Sequence, residues 1–331
     1  MDAALLPDLA AIRAAAVRIA PHVHRTPVLA SSSLDGEAGA RLFFKCENLQ
    51  KIGAFKARGA TNAVFALAPD IAARGVVTHS SGNHGAALAY AARRRGIPAW
   101  VVMPENAPRV KIANVAREGA TIRFCAPNVA ARESACAQVE RESGATLIHP
   151  FDHFDVIAGQ ATAALELLAE VPDLDVVIAP CGGGGLLSGT AIVTRALSPR
   201  IRVLGAEPAH ADDAARSFAS GRIEPLPATT TIADGLRTTL APRTLAAIRA
   251  HVEAIGTCSE EGIVRAMRLT WERMKIVIET SSAVPLACLL EGTLAVRGLR
   301  VGVVVSGGNV DLDELPWQRK ATPAASTTAG T

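Results

Sequence analysis

What most constrains this chain is a repeated alternation. Short runs that are apolar on both faces are separated by longer, alanine-rich stretches of helical character. The runs are Arg41–Cys46, Gly75–His79, Ala99–Met103, Thr121–Phe124, Val176–Pro180, Arg202–Glu207 and Val301–Ser306. Strands covered by helices on both faces read this way, whereas half-exposed antiparallel strands alternate apolar and polar residues. The stretches between them, such as 85–95, 109–118, 129–143 and 159–170, have helical length and composition. The alternation predicts an α/β chain built on open, doubly wound parallel sheets. Because it runs through both halves, two such units are expected. A small domain is placed at 76–150, and segments 1–75 and 151–320 pair into a larger one. Residues 321–331 contain only Ala, Pro, Ser, Thr and Gly, a composition that predicts a disordered tail.

The composition narrows the function classes. A net charge of +3 with 20% charged residues gives no basic track for nucleic acid. Arg93-Arg94-Arg95 is short and isolated, and reads as a solvated helix end. No apolar run reaches the roughly 18 residues of a membrane span, and the N-terminus has no signal-peptide pattern, so a cytoplasmic protein is expected. The six cysteines are scattered without a C-x-x-C pair, which argues against a zinc site or a disulfide framework.

Four motifs follow strand-like runs or interrupt an apolar context. Gly53-Ala54-Phe55-Lys56-Ala57-Arg58-Gly59 places one of only six lysines in an apolar, glycine-bracketed stretch. An amine shielded from water has a lowered pKa and forms imines readily. A helix-start lysine reaching solvent is the plainer alternative. Ser80-Ser81-Gly82-Asn83-His84-Gly85 opens an alanine-rich helix, where free backbone amides suit a carboxylate. Gly182-Gly183-Gly184-Gly185 lies between a buried strand and a helix. Four glycines there carry a large entropic cost, which a phosphate cradle of backbone N–H groups would explain. No Gly-Lys-Ser/Thr follows, so this is not the nucleotide P-loop. Ser306-Gly307-Gly308-Asn309 closes the last strand and offers a hydroxyl at the sheet edge.

In this order and spacing the four motifs resemble the fold-type II pyridoxal-phosphate enzymes, whose architecture is of the tryptophan synthase β type. The group most similar holds serine racemases, serine/threonine dehydratases and 3-hydroxyaspartate ammonia-lyases. The resemblance spans about residues 20–320 and takes in Thr26-Pro27, Cys46-Glu47-Asn48, Ile157-Ala158-Gly159-Gln160, Ile232-Ala233-Asp234-Gly235 and Trp271-Glu272-Arg273-Met274-Lys275. It implies that Lys56 carries the cofactor, with Phe55 beside the pyridine ring and Asn83 at the ring hydroxyl. It further implies that Gly182, Gly183, Gly184 and Gly185 hold the phosphate and that Ser306 faces the pyridine nitrogen. Ser80, Ser81, Asn83, His84 and Arg132 would receive the substrate carboxylate. A serine at the ring nitrogen leaves it unprotonated and the cofactor a weaker electron sink, which favours β-elimination over transamination. Lys56 would remove the α-proton. Ser81, on the opposite face, could return it and give racemase activity.

The resemblance also suggests a Mg²⁺ site, with Ca²⁺ or Mn²⁺ as substitutes. In Glu207-Pro208-Ala209-His210-Ala211-Asp212-Asp213 the ligands would be the Glu207 and Asp213 carboxylates and the Ala211 carbonyl. A helix cap at Asp212 is the plainer alternative. Gly53-Ala54-Phe55-Lys56 looks more like the 3-hydroxyaspartate branch than the serine/threonine dehydratases. A second substrate carboxylate would need a further cation or donor, for which His153, Arg132 and Arg237 are candidates. The expected activity is therefore a dehydratase or ammonia-lyase acting on L-serine, L-threonine or 3-hydroxyaspartate, and the expected assembly a homodimer. The alternatives are a serine racemase with dehydratase side activity and, further off, a non-catalytic pyridoxal-phosphate or amino-acid-binding protein.

Overall fold

The doubly apolar runs become interior strands. The computed structural model describes residues 6–80, 82–107 and 109–318. Its strands are β1 (Val28–Ala30), β2 (Arg41–Cys46), β3 (Val76–His79), β4 (Ala99–Pro104), β5 (Thr121–Cys125), β6 (Thr146–Leu147), β7 (Val176–Pro180), β8 (Arg202–Pro208), β9 (Ala254–Cys258) and β10 (Arg300–Val305). They form a six-stranded sheet ordered β1-β2-β10-β7-β8-β9 and a four-stranded sheet ordered β5-β4-β3-β6. The β1–β2 pairing is antiparallel. The other pairings are parallel, for example Val301 beside Leu42 on one side and Val176 on the other. Helices lie between successive parallel strands, as parallel crossovers require. This is the expected α/β class, with parallel sheets in two units.

β7 is buried at every position, and β10 at every position except its first. β5 departs from the sequence reading. It is an edge strand whose first four residues are exposed or half-buried, and Phe124 is among the exposed apolar side chains. The short runs β1, β6 and β9 were not among the expected strands. β1 and β6 are only three and two residues long, too short for a period to register. Residues 321–331, expected to be a disordered tail, lie outside the described residues.

The helix Lys56–Ala66 opens beside the end of the large sheet. Phe55 N donates to Ser306 O (2.9 Å), and Ala54 bridges Gly307, so the lysine-bearing turn is stitched to the end of β10. Its other face meets the helix Phe154–Glu170 where Gly59 faces Gly159. A Cβ on Gly159 would stand 2.6 Å from the Gly59 Cα. A buried ion network fixes the same helix. Arg58 donates through Nε and Nη2 to Glu47 (2.7 and 2.8 Å) and through Nη1 and Nη2 to Glu166 (2.8 Å each). Lys45 joins Glu166 at 2.6 Å.

Candidate active site

Parallel α/β sheets collect ligands at the carboxyl ends of their strands. Here β3 ends at His79, β7 at Pro180 and β10 at Val305. A cavity of about 550 Å³ opens at these ends, within the range of small-molecule sites. Phe55, Lys56, Ser80, Asn83, His84, Arg132, Ser306 and all four glycines of 182–185 line it. Motifs up to 250 residues apart in sequence thus face one space. Ser81 lies outside the described residues.

Lys56 is the first residue of its helix, and its Nζ donates to Pro150 O at 2.8 Å. Burial lowers its pKa to about 8, so the neutral amine is accessible near physiological pH. The Nζ stands 5.1 Å from the centroid of the Phe55 ring.

The tetraglycine turn leads into the helix Gly185–Leu197, whose first amides have no partner within the helix. Gly184 is left-handed at φ +84°, and a Cβ there would stand 2.8 Å from both Leu240 and Thr244. A side chain is excluded on conformation and on space, so the amides stay exposed to the cavity. This is the geometry of an anion cradle.

Ser306 is 3% exposed, and its hydroxyl lies 2.9 Å from that of Ser282. Ser282 in turn accepts from Gly307 N (2.6 Å). Asn83 opens the helix Asn83–Arg95, donates through Nδ2 to Glu279 Oε1 (2.8 Å) and accepts at Oδ1 from Asn309 Nδ2 (2.9 Å).

His84 is placed differently from its expected use. Its Nε2 faces the Ile148 carbonyl at 3.2 Å, so that nitrogen carries the proton, and Nδ1 is buried without a partner. Burial, then the nearby Lys56, keeps the ring well below its usual pKa and neutral. A neutral ring already donating to Ile148 has no N–H left for a carboxylate. The backbone amide of His84, in the first turn of its helix, is the donor available for that purpose. Of the three candidates for a second carboxylate, Arg132 and Arg237 line the cavity, and His153 does not. His153 caps the helix Phe154–Glu170, its Nδ1 accepting from Asp155 N. Arg237 Nε is committed to Thr231 O at 2.9 Å.

The sequence reading missed several lining residues. His79 and His149 meet edge to face at 5.5 Å, and burial lowers His149 to about 4. Glu279 also lines the cavity. An isolated acid closing the apolar run Ile276-Val277-Ile278 was the signal that could have found it. His149 and Phe151 carry no comparable mark, because only the fold brings them to the site.

The suggested metal residues stand together away from this cavity. Glu207 and Asp213 are fully buried and Ala211 is 1% exposed. Glu207, not Asp212, caps the helix Asp213–Ser220, accepting from Ala214 N (3.0 Å) and Ala215 N (2.9 Å). Asp212 pairs with Arg216 instead (2.8 Å). Both Asp213 carboxylate oxygens are buried without a partner. Burial pushes Glu207 up to about 9 and Asp213 to about 7. Two buried carboxyls, of which Asp213 has both oxygens without a partner, and a neighbouring carbonyl fit a hard divalent cation. Among the described residues no group of three or more His, Cys, Asp or Glu could hold a metal, so any ion here would need the carbonyl and water. The six cysteines are all buried and unbridged.

A buried lysine at a helix start, a glycine cradle for an anion and a serine at the end of β10, all lining one cavity, define the class. Residues 19–307 match the family described as "Pyridoxal-phosphate dependent enzyme", and the chain belongs to it. The β-hydroxyaspartate dehydratase of Paracoccus denitrificans is 51% identical over 94% of this chain and 99% of its own length. The serine racemase of rice (Oryza sativa subsp. indica) is 49% identical over 94% of this chain and 93% of its own. The structure of maize serine racemase superposes with a TM-score of 0.91 at 47% identity, over 93% of this chain and 95% of that one. The cofactor is pyridoxal phosphate, and the chain is a pyridoxal-phosphate enzyme of the racemase and dehydratase group. Among the described residues no helix is long and apolar enough to cross a membrane.

Proposed function

We propose that this chain dehydrates a small β-hydroxy amino acid, namely L-serine, L-threonine or 3-hydroxyaspartate, to a 2-oxo acid and ammonia. The observation that carries the reading is that Lys56, the Gly182–Gly185 turn and Ser306 line a single cavity. When bound, pyridoxal phosphate withdraws electrons from Cα and makes the α-proton acidic. The amides of Gly182 to Gly185 would hold its phosphate, with Phe55 beside the ring and Ser306 available to the ring nitrogen. Ser80, Ser81, Asn83 and Arg132, with the His84 amide, orient the substrate carboxylate.

The Lys56 amine takes the α-proton, and its lowered pKa keeps an unprotonated fraction for the task. Loss of the β-hydroxyl as water follows, and hydrolysis of the resulting enamine gives the keto acid and ammonia. Ser81 returning a proton on the opposite face would make the enzyme a racemase as well, a reading favoured by its similarity to racemases.

Glu207, Ala211 and Asp213 hold Mg²⁺, and Ca²⁺ or Mn²⁺ substitutes. Residues 76–150 form the small domain and 1–75 with 151–320 the large one, in a cytoplasmic homodimer. Purified protein should be offered L-serine, L-threonine and the 3-hydroxyaspartate stereoisomers in parallel, with keto acid, ammonia and product chirality measured. Lys56→Ala should lower turnover of the preferred substrate by at least about a thousandfold, the upper part of the range for a lost acid–base group. Undiminished turnover in that variant would end the Lys56 assignment.

A further inference from the structure

Glu279 is a carboxyl that the reaction as drawn above does not use. It is 6% exposed, lines the cavity, and precedes the helix Thr280–Leu290 as its cap residue. Its backbone N–H donates to Gly307 O (3.0 Å), which fixes it at the end of β10. The absent side chain of Gly307 makes room, since a Cβ there would stand 2.4 Å from Glu279 Oε1.

The orientation of its partner Asn83 follows from a chain of acceptors. The Ile52 carbonyl can only accept, so the Asn309 group at 2.8 Å from it is the NH₂. That NH₂ also meets Asn83, which must therefore present Oδ1 at 2.9 Å. The NH₂ of Asn83 is then left facing Glu279, 2.8 Å away. One of its hydrogens goes to Glu279, and the other is free to point into the cavity. Asn83 is thus gripped at both ends by groups of the large sheet, although it belongs to the helix that follows β3.

We infer that Glu279 is a positioning residue for the cofactor, acting through the Asn83 amide that it orients. This rests on the reading that Asn83 meets the ring oxygen of pyridoxal phosphate. No cation pairs with Glu279 among the described residues. Two charged groups face it, Asp234 from the loop before Gly235 and Lys111 from the helix Arg109–Arg117, and these pair with each other. Burial, then Asp234, pushes Glu279 up to about 8, so it keeps its proton at neutral pH. A neutral acid can accept from Asn83 without setting a bare negative charge beside an anionic cofactor. Its ionisation above pH 8 would add that charge and weaken cofactor binding.

The test uses apo-protein retitrated with pyridoxal phosphate, following Kd and the visible spectrum from pH 6 to 9 in wild type, Glu279→Ala, Glu279→Gln, Asn83→Ala and the Asn83→Ala/Glu279→Ala double variant. Glu279→Ala should weaken binding about tenfold, the effect of one charge-adjacent hydrogen bond of about 1.4 kcal/mol. In the Asn83→Ala background it should add nothing further. The Lys56 amine titrates in the same range in both proteins, so the reading is their ratio: wild-type affinity should fall relative to that of Glu279→Gln above pH 8. Unchanged binding in Glu279→Ala, or an equal further loss in the double variant, would overturn the inference. If Glu279→Ala fails to fold, a Glu279→Gln curve that tracks wild type across the pH range overturns it equally well. A wild type that never shows a lysine-linked cofactor band would instead overturn the Lys56 assignment, and this inference with it.

Discussion

Two sets of carboxyls sit inside this chain, buried except for the partly buried Glu166, and meet opposite surroundings. Glu47 and Glu166 are surrounded by cations, with Arg58 reaching both and Lys45 reaching Glu166. Burial alone would raise Glu166. The hydrogen bonds and charges of Arg58 and Lys45 outweigh it and hold the group below the usual carboxylate range. Glu207, Asp213 and Glu279 have no cation paired with them among the described residues, and burial raises all three. The first set contains its own counter-charge, two cations for two anions, and needs nothing from outside. The second set has no such counter-charge among the described residues. The contrast separates carboxyls whose charge the fold compensates from carboxyls it leaves without a paired cation, a distinction that burial alone does not make.

The contrast breaks most visibly at Arg58. Arg58→Leu removes the shared partner, leaving Glu166 with Lys45 alone and Glu47 buried without a cation, a change that costs about 3–5 kcal/mol in comparable buried pairs. Denaturant unfolding should show a midpoint lowered accordingly with little change in slope. A loss under about 1 kcal/mol would mean the network is no more valuable than a surface pair. The helix that carries Lys56 also carries Arg58, so weakened cofactor binding should accompany the loss.

A second, smaller effect sharpens the other side. If Glu207, Ala211 and Asp213 take Mg²⁺, the cation should stabilise the folded chain by about 2.7 kcal/mol at a hundred times its dissociation constant. For a chain of this size that corresponds to a shift of several degrees in Tm, at about 2–4 °C per kcal/mol. Asp213→Asn should abolish the shift. Without cation it should unfold no more easily than wild type, because it removes an uncompensated buried charge. A cation-independent Tm in the wild type would leave Glu207 as no more than a helix cap and remove the cation site.

The large-scale organisation was legible because it rests on local signals. Doubly apolar runs alternate with helical stretches, and glycines stand where backbone amides must be reached. Lys56, the Gly182–Gly185 turn and Ser306 were visible for the same reason, each standing out from its own neighbours. Failures occurred where a residue's role depends on partners far away in sequence. That the His84 ring is spent on Ile148, 64 residues on, so that only its amide can serve a carboxylate, is settled by the fold. His153 reads as a pocket cation until it is seen capping its own helix. Phe124 on β5 reads as core because an edge strand and an interior strand share β-branched and aromatic composition, and only the neighbouring strand decides which it is.

The smallest effect is a pH dependence that should run in opposite directions for the two sets. Glu166 has a folded pKa below its unfolded value of 4.5, so its contribution is present above that value and is lost as pH falls below it. Glu279 has a folded pKa near 8 against 4.5 unfolded, so its contribution is full below pH 4.5 and is lost as pH rises through 8. Between these values the unfolded chain releases the proton that folded Glu279 retains, and stability falls. About 1.4 kcal/mol for each unit of the shift is the upper limit of that fall. In apo-protein unfolded by urea at a series of pH values, Glu279→Gln should flatten the slope between pH 5 and 8 and leave the acid limb unchanged. If the slope there is the same in both proteins, Glu279 is already ionised when folded, and it belongs with Glu47 and Glu166 as a carboxyl whose charge the fold has compensated.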